Sequence, residues 1–211
     1  MERRRLALAA AVVVAWSLPT GSMAHDPPAR ARGAPVPAPA GRLPVIREAP
    51  DFTLVDHEGR RLVRADGEGR VILISFVYLS CPSACPLITQ RMALLHQQLR
   101  RAGVAPSRVL LLSVTVDPAR DDVATLADYA RRAGADGRGW RFLRDDAERL
   151  RPVLAAFDEW TRPLPGGEID HPARLHLIDA RGRVREIYSL GFFDAGQALL
   201  DINALLREGH P

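Results

Sequence analysis

The spacing of apolar residues along the chain predicts an α/β domain. Apolar and polar residues alternate over residues 52–55, a polar turn follows at 56–59, and Leu62 continues the alternation, which together predict a β-hairpin. Two nearly continuous apolar runs, 71–78 and 109–116, are typical of strands that are covered on both faces. Two further strands are predicted at 174–179 and 183–189, joined by a tight turn.

Helical spacing occurs in four segments. The first covers residues 87–101 and ends before Gly103. Aspartates that can cap a helix N-terminus precede the other three. These helices follow Asp121 or Asp122, follow Asp145 or Asp146, and run from Asp194 to Leu206.

The predicted order is hairpin, strand, helix, strand, helices, strand, strand, helix. Its first half contains a βαβ crossover, whose handedness is fixed, and its second half contains two adjacent strands and a helix. This is the thioredoxin-like arrangement. We therefore predict a thioredoxin-like α/β fold, with a central mixed β-sheet flanked by helices and an N-terminal β-hairpin extension.

The first residues indicate export. Three arginines at residues 3–5 precede an apolar run at 6–18 and a small-x-small cleavage signal at 22–24, the layout of a signal peptide at 1–24. The alternative is an uncleaved anchor, in which residues 6–24 would tether the protein to the membrane. Residues 25–45 are predicted to be a Pro/Ala-rich linker, and 46–208 the folded domain. We expect an exported protein of the bacterial periplasm, soluble or anchored to the inner membrane.

The charge balance argues against nucleic-acid binding. The chain has 211 residues and a formal net charge of +4, but all 29 basic residues are arginines, spread among acidic residues and without a basic run beside aromatic residues.

The two cysteines of the chain lie in one short motif, Cys81-Pro82-Ser83-Ala84-Cys85-Pro86, between a predicted strand and a predicted helix. Helix N-termini lower thiol pKa values, so Cys81 should ionise more easily than Cys85. The pair can form a disulfide or bind a soft metal ion. A Cys-x-x-Cys spacing would indicate a thiol oxidoreductase, but here the gap is three residues. Because proline is unfavourable deeper in a helix, we expect the helix to begin near Pro86.

A metal would need further ligands, and His171 is the best candidate among six histidines. It precedes the predicted strand 174–179, in a loop that would face the cysteines in a thioredoxin-like fold. Two thiolates and one imidazole suit Cu(I), and can be adapted to Cu(II). The other histidines are expected to have no part in the site: His25 in the linker, His57 and His210 solvated, His96 on the polar side of a helix, and His176 packed in a strand.

Three motifs in order resemble the Sco/SenC proteins: Cys-x-x-x-Cys-Pro, then Asp117-Pro118-Ala119-Arg120-Asp121, then Asp170-His171 before a strand. The resemblance covers residues from about 49 to 206. It implies a thioredoxin-like copper protein in which Cys81, Cys85 and His171 bind one copper ion. It also implies a copper-acceptor partner, a cytochrome c oxidase subunit, during assembly of the binuclear copper centre.

Two departures from the family pattern stand out. Residues 82–84 lack the acidic residue that many members carry, and Pro172 follows the histidine. By analogy with the cis-proline of thioredoxins, we expect the His171–Pro172 bond to be cis.

The leading hypothesis for function is a copper metallochaperone. The alternative is a periplasmic thiol–disulfide reductase, in which Cys81 attacks a partner disulfide and Cys85 resolves the mixed disulfide, so that the two form a redox-active disulfide. A copper sensor is a third class that the sequence leaves open.

Overall fold

The computed structural model describes residues 42–208. Its ten strands are β1 Arg47–Glu48, β2 Thr53–Asp56, β3 Arg61–Val63, β4 Val71–Val77, β5 Val109–Thr115, β6 Trp140–Arg144, β7 Arg162–Pro163, β8 Ile169–Asp170, β9 Leu175–Ile178 and β10 Arg183–Tyr188. Its four α-helices are α1 Ala84–Arg101, α2 Val123–Ala133, α3 Ala147–Ala156 and α4 Ala195–Glu208. Short 3₁₀ helices cover Arg64–Gly67 and Leu190–Phe192.

Eight strands form one mixed sheet in the order β1-β10-β9-β4-β5-β6-β2-β3. Strands β4, β5 and β6 are parallel to one another, and the remaining pairs in the sheet are antiparallel. Strands β7 and β8 form a separate two-stranded hairpin. The predicted thioredoxin-like fold is confirmed, with the β2–β3 hairpin at one edge of the sheet.

The central strands β4 and β5 are buried along their whole length. Their apolar runs are interrupted only where Ser75 and Ser113 face each other in register. The two hydroxyls lie 3.0 Å apart, and Ser113 also accepts a hydrogen bond from the Trp140 indole at 3.1 Å. The polar groups are thus satisfied within the core, as burial requires.

Aspartates begin three helices, as predicted. Asp122 accepts a hydrogen bond from the N–H of Thr125 and so caps α2, and Asp146 caps α3 in the same way. Asp194 accepts from the N–H of Gln197 at 2.9 Å at the start of α4. Each cap satisfies an N–H that has no partner within its helix.

Strand β6 was missed by the sequence analysis, which places no strand between the two central helices. Arg141 and Arg144 interrupt its apolar pattern. The Arg141 guanidinium contacts the buried Asp56 carboxylate at 3.2 Å, and Arg144 donates to the Pro118 carbonyl at 3.0 Å. The two arginines therefore bind groups in neighbouring turns while they belong to a strand. Their charge does not indicate a loop.

An ion network covers the end of the sheet at which β4 begins. We call it the Arg185 cluster, and its members are Arg185, Asp179, Glu208 and Arg42. Arg185 is 2% exposed, and its guanidinium contacts Asp179 at 2.9 Å and Glu208 at 3.0 Å. Its Nε donates to the Leu43 carbonyl at 3.0 Å. The first described residues, at the end of the predicted linker, are therefore bonded to the domain.

The strands beside this cluster are joined by the predicted turn at 180–182. Gly182 has φ 79°, a left-handed conformation that glycine adopts without strain.

The predicted signal peptide or anchor, 1–24, and most of the predicted linker lie outside the described residues. Within 42–208, no helix combines the length and the apolar character that crossing a bilayer would require.

Candidate functional site

The cysteine motif lies where β4 leaves the sheet and α1 begins. Helix α1 starts at Ala84, so Cys85 and Pro86 occupy its first turn. The predicted start near Pro86 is two residues late. The third helical position has no intrahelical acceptor for its N–H, so a proline there loses no hydrogen bond.

Both thiols are reduced and buried in the structure, with Cys81 8% and Cys85 1% exposed. The N–H of Cys85 donates to the Cys81 sulfur at 3.3 Å. Cys81 therefore precedes the helix and lies over its open N-terminus, where unpaired N–H groups favour a thiolate.

The two thiols have opposite pKa shifts. Burial raises the pKa of the Cys81 thiol, but N–H donation from Cys85 and Ser83 and a hydrogen bond from the Tyr78 hydroxyl bring its pKa below the ordinary value. Burial raises the pKa of Cys85 to about 12, with further contributions from the adjacent Cys81 sulfur and then from the nearby Asp121 charge. This agrees with the prediction that Cys81 ionises first.

Tyr78 connects the cysteine motif to the loop that carries His171. Its hydroxyl forms a hydrogen bond with the Cys81 side chain and accepts another from the N–H of Ile169 at 3.2 Å. Its ring packs edge-on against the His171 ring, with centroids 5.9 Å apart. The three predicted ligands thus lie at the same end of the sheet, with Tyr78 in contact with both Cys81 and His171.

These ligands are not gathered into a finished metal site. Within residues 42–208, no group of three or more His, Cys, Asp or Glu side chains has an arrangement that could already hold a metal ion.

The His171 ring is held by a buried carboxylate that the sequence analysis did not identify. Its side chain is 5% exposed, and Nδ1 lies 3.4 Å from an oxygen of the fully buried Glu159. The N–H of Ala173 also lies 3.2 Å from Nδ1.

The prediction of a cis His171–Pro172 bond is wrong. Among the described residues the cis peptide bond is at Ala105–Pro106, and the His171–Pro172 bond is trans. The chain reverses instead at Ala173, which has φ 52°. The trans form of an X–Pro bond is favoured by about 0.5–1 kcal/mol, and the analogy with thioredoxins does not outweigh that preference here.

The second motif supports the cysteine turn through Asp121. This carboxylate is 1% exposed and accepts hydrogen bonds from the N–H of Leu79 at 3.2 Å and the hydroxyl of Thr115 at 2.5 Å. Burial raises its pKa, although these two hydrogen bonds lower it in part. Asp122 is the residue that caps α2, so Asp121 is free to hold the loop before Cys81.

Asp117 and Arg120 form an ion pair beside this carboxylate. The Arg120 guanidinium approaches Gly167 in the β7–β8 hairpin, where an added Cβ would stand 3.3 Å away. The second motif therefore contacts the hairpin that leads to His171.

The other histidines differ in part from expectation. His57, predicted to be solvated, is 7% exposed because its Nδ1 accepts the N–H of Phe142 at 3.1 Å. His96, predicted on a polar face, is 2% exposed and packs against the Trp140 ring. His176 is packed between Phe76 and Phe157, as predicted. His25 and His210 lie outside the described residues.

The fold and the paired thiols define a thioredoxin-like dithiol protein. The sequence profile of SCO1/SenC matches residues 43–207. The chain therefore belongs to the SCO1/SenC family. The Bos taurus "Protein SCO2 homolog, mitochondrial" is 30% identical over 145 residues, which cover 66% of this chain and 53% of that protein. The chain spans about half the length of the vertebrate relatives it matches.

Solved structures show the same fold. A SCO1/SenC family lipoprotein from Bacillus anthracis superposes with a TM-score of 0.68 at 22% identity, covering 76% of this chain and 95% of that one. Bradyrhizobium japonicum ScoI with copper bound gives 0.64 at 22%, covering 75% and 99%. BsSco, a Sco family cytochrome c oxidase assembly protein with a disulfide switch, gives 0.66 at 21%, covering 78% and 98%.

Proposed function

We propose that this protein is a copper metallochaperone that binds one copper ion through Cys81, Cys85 and His171. It would deliver the ion to a copper-acceptor protein, a cytochrome c oxidase subunit, during assembly of that enzyme's copper centre. The observation that carries the proposal is the pair of buried, reduced thiols at the start of α1. The His171 imidazole lies near them and packs against the Tyr78 ring.

The donor set fits copper. Thiolate sulfur and imidazole nitrogen are soft or borderline ligands, and three of them satisfy Cu(I), whereas structural zinc sites generally use four protein ligands. Two relatives support the choice: B. japonicum ScoI has been solved with copper bound, and BsSco is a cytochrome c oxidase assembly protein.

Binding requires the three ligands to come closer together than they are in this structure. Because Tyr78 contacts both Cys81 and His171, its side chain must shift before all three ligands reach one ion. A three-coordinate ion then leaves room for an incoming thiolate, so that transfer can proceed by ligand exchange.

The proposal includes export of the domain. The predicted signal peptide, or its uncleaved form as a tether, would place the domain in the bacterial periplasm, and one structural relative is a lipoprotein.

A thiol–disulfide reductase is the second candidate, favoured by the opposite pKa shifts of the thiols. The Cys81 thiolate would attack one sulfur of a partner disulfide, forming a mixed disulfide and releasing a partner thiolate. Cys85, after losing its proton, would attack the Cys81 sulfur and release the second partner thiol. The partner disulfide is reduced by two electrons, and Cys81 and Cys85 are oxidised to a disulfide.

Metal analysis of the reduced domain tests the first proposal. We expect one copper per wild-type molecule, and less than one tenth of this in Cys81→Ser, Cys85→Ser and His171→Ala after desalting. His210→Ala is the matched control and should keep full copper content. Full copper content in either serine variant would contradict the assigned ligands.

Disulfide exchange with a small disulfide separates the two candidates. His171→Ala should lose copper but reduce the disulfide at the wild-type rate if the thiols act alone. A parallel loss of both activities in a folded variant would contradict an independent reductase role.

A further inference from the structure

Glu159 is a fully buried carboxylate with no arginine partner among residues 42–208. One oxygen accepts a hydrogen bond from the N–H of Arg174 at 3.0 Å. The other lies 3.4 Å from Nδ1 of His171. In the part of the chain from 42 to 208, His171 is the only basic side chain within ion-pair distance of Glu159. A buried carboxylate needs donors on both oxygens, and for the oxygen that Arg174 does not reach, a proton on Nδ1 is the donor that residues 42–208 can supply.

Two contacts compete for that nitrogen. If the N–H of Ala173 donates to Nδ1, the ring proton must be on Nε2, and the Nδ1 lone pair then faces a carboxylate oxygen as well. If Nδ1 carries the proton, it donates to Glu159. The Ala173 contact is the shorter of the two, but a hydrogen bond to a charged carboxylate is roughly twice as strong as a neutral one, and this is the ground on which we favour a proton on Nδ1.

The backbone holds Glu159 in place for this contact. The chain leaves α3 through Asp158 in a left-handed conformation, φ 57°, and the N–H of Glu159 then returns to the Leu154 carbonyl at 2.9 Å. The carboxylate is fixed on one side of the imidazole, and the Tyr78 ring packs against the same imidazole.

We propose that Glu159 is a positioning residue for His171: its carboxylate keeps the proton on Nδ1 and so leaves Nε2 as the nitrogen that binds copper. The inference rests on the proposed function, which makes His171 a ligand. Carboxylates commonly orient metal-binding histidines in this way, and their loss typically costs about 10–100-fold in metal affinity.

Glu159→Gln tests the proposal because it changes one hydrogen bond and little else. The amide oxygen can still accept from the N–H of Arg174. The amide nitrogen then faces Nδ1 of His171 and donates to it, which moves the ring proton to Nε2. The variant is thus expected to place a proton on the copper-binding nitrogen.

The first readout needs no metal. Nitrogen-15 NMR of histidine-labelled, reduced, metal-free protein at mildly alkaline pH distinguishes the two tautomers of His171. Wild type should show the Nδ1–H form and Glu159→Gln the Nε2–H form. An Nε2–H form in the wild type overturns the inference even if the variant fails to fold.

The second readout is Cu(I) affinity by competition with a chromophoric chelator. Glu159→Gln should bind about 10–100-fold more weakly, whereas the matched control Glu168→Gln, an exposed glutamate three residues before His171, should stay within about twofold of wild type. A changed tautomer with unchanged affinity overturns the role of Glu159 alone. If His171→Ala binds copper as tightly as wild type, the ligand assignment fails, and the inference fails with it.

Discussion

The two ends of the central strand β4 differ in how their buried charged groups are paired. At its amino end, the Arg185 cluster pairs every charge, with carboxylates and carbonyl oxygens around one guanidinium. At its carboxyl end lie two thiols and the carboxylates of Asp121 and Glu159, all buried. Within residues 42–208, neither of these carboxylates is ion-paired with an arginine, and both are held by uncharged donors and one imidazole.

Under the proposed function, this difference separates an end that stabilises the fold from an end that binds the ion. When all donors and acceptors of a polar network are paired with one another, none remains to bind a ligand. The cysteine end keeps acidic groups in a setting that disfavours their charge, since burial raises the pKa of both Cys85 and Asp121. An incoming cation would relieve that cost, which is the electrostatic reason to expect a metal ion there.

The largest expected effect is a difference in alkylation rate between the two thiols. Because the pKa of Cys81 is lowered and that of Cys85 is raised to about 12, Cys81 should be alkylated more than about 100-fold faster at pH 8. Limited iodoacetamide labelling of the reduced protein, followed by peptide mapping, measures the ratio. Equal labelling would remove the asymmetry on which the reductase candidate depends.

The Arg185 cluster, at the opposite end of β4, can be disrupted with Arg185→Met. Removing the guanidinium leaves buried carboxylate and carbonyl oxygens without their donor, and we expect a loss of about 3–5 kcal/mol in the free energy of unfolding. Urea denaturation followed by circular dichroism measures it. Arg181→Met, on an exposed arginine of the neighbouring turn, should change stability by less than about 0.5 kcal/mol. Copper content per folded molecule should be unaffected, and a loss would show that the two ends are coupled.

His176, in the core between the two ends, should contribute strongly to the loss of stability in acid, beside His57 and His96, whose pKa values burial also lowers. Burial, with a smaller contribution from nearby arginines, lowers its pKa from 6.5 to about 4. The unfolded chain therefore binds more protons between pH 6.5 and 4, and stability on the order of 3 kcal/mol is lost as the pH falls through this window. Urea unfolding at pH 7, 5.5 and 4 tests this. His176→Leu should flatten the pH dependence, and an unchanged slope would assign the acid loss to other groups.

The smallest effect is expected from Asp121→Asn. The amide can keep the hydrogen bonds to Leu79 and Thr115, so the stability should fall by only about 1 kcal/mol. Removing the negative charge should lower the pKa of Cys85 and raise its alkylation rate. Asp122→Asn is the matched control because asparagine also caps helices well. If both variants label Cys85 at the same rate, Asp121 does not act on the thiol.

The sequence predicted the apolar framework and the chemistry of the cysteine motif well. Continuous apolar runs identified β4 and β5, and helical spacing identified all four helices, because burial of those residues depends on their own pattern. The motif at a strand-to-helix turn also indicated which thiol would ionise first.

What the sequence could not predict were the charged residues that fold inward. Arg185 and Glu159 are buried because partners distant in the chain satisfy them, whereas a charged residue considered alone predicts exposure. Strand β6 was missed for the same reason. Glu159 lies 12 residues before His171 in a segment without regular spacing, so only the folded chain shows that they meet.

The Arg185 cluster also holds the two described termini together. The described chain begins at Arg42, bonded to Glu208 at the end of α4, so both described termini lie at the base of the molecule. The seven residues of β4 span about 23 Å between this base and the cysteine turn. A protein that approaches the thiols along the axis of β4 therefore reaches them at the end of the sheet opposite both described termini.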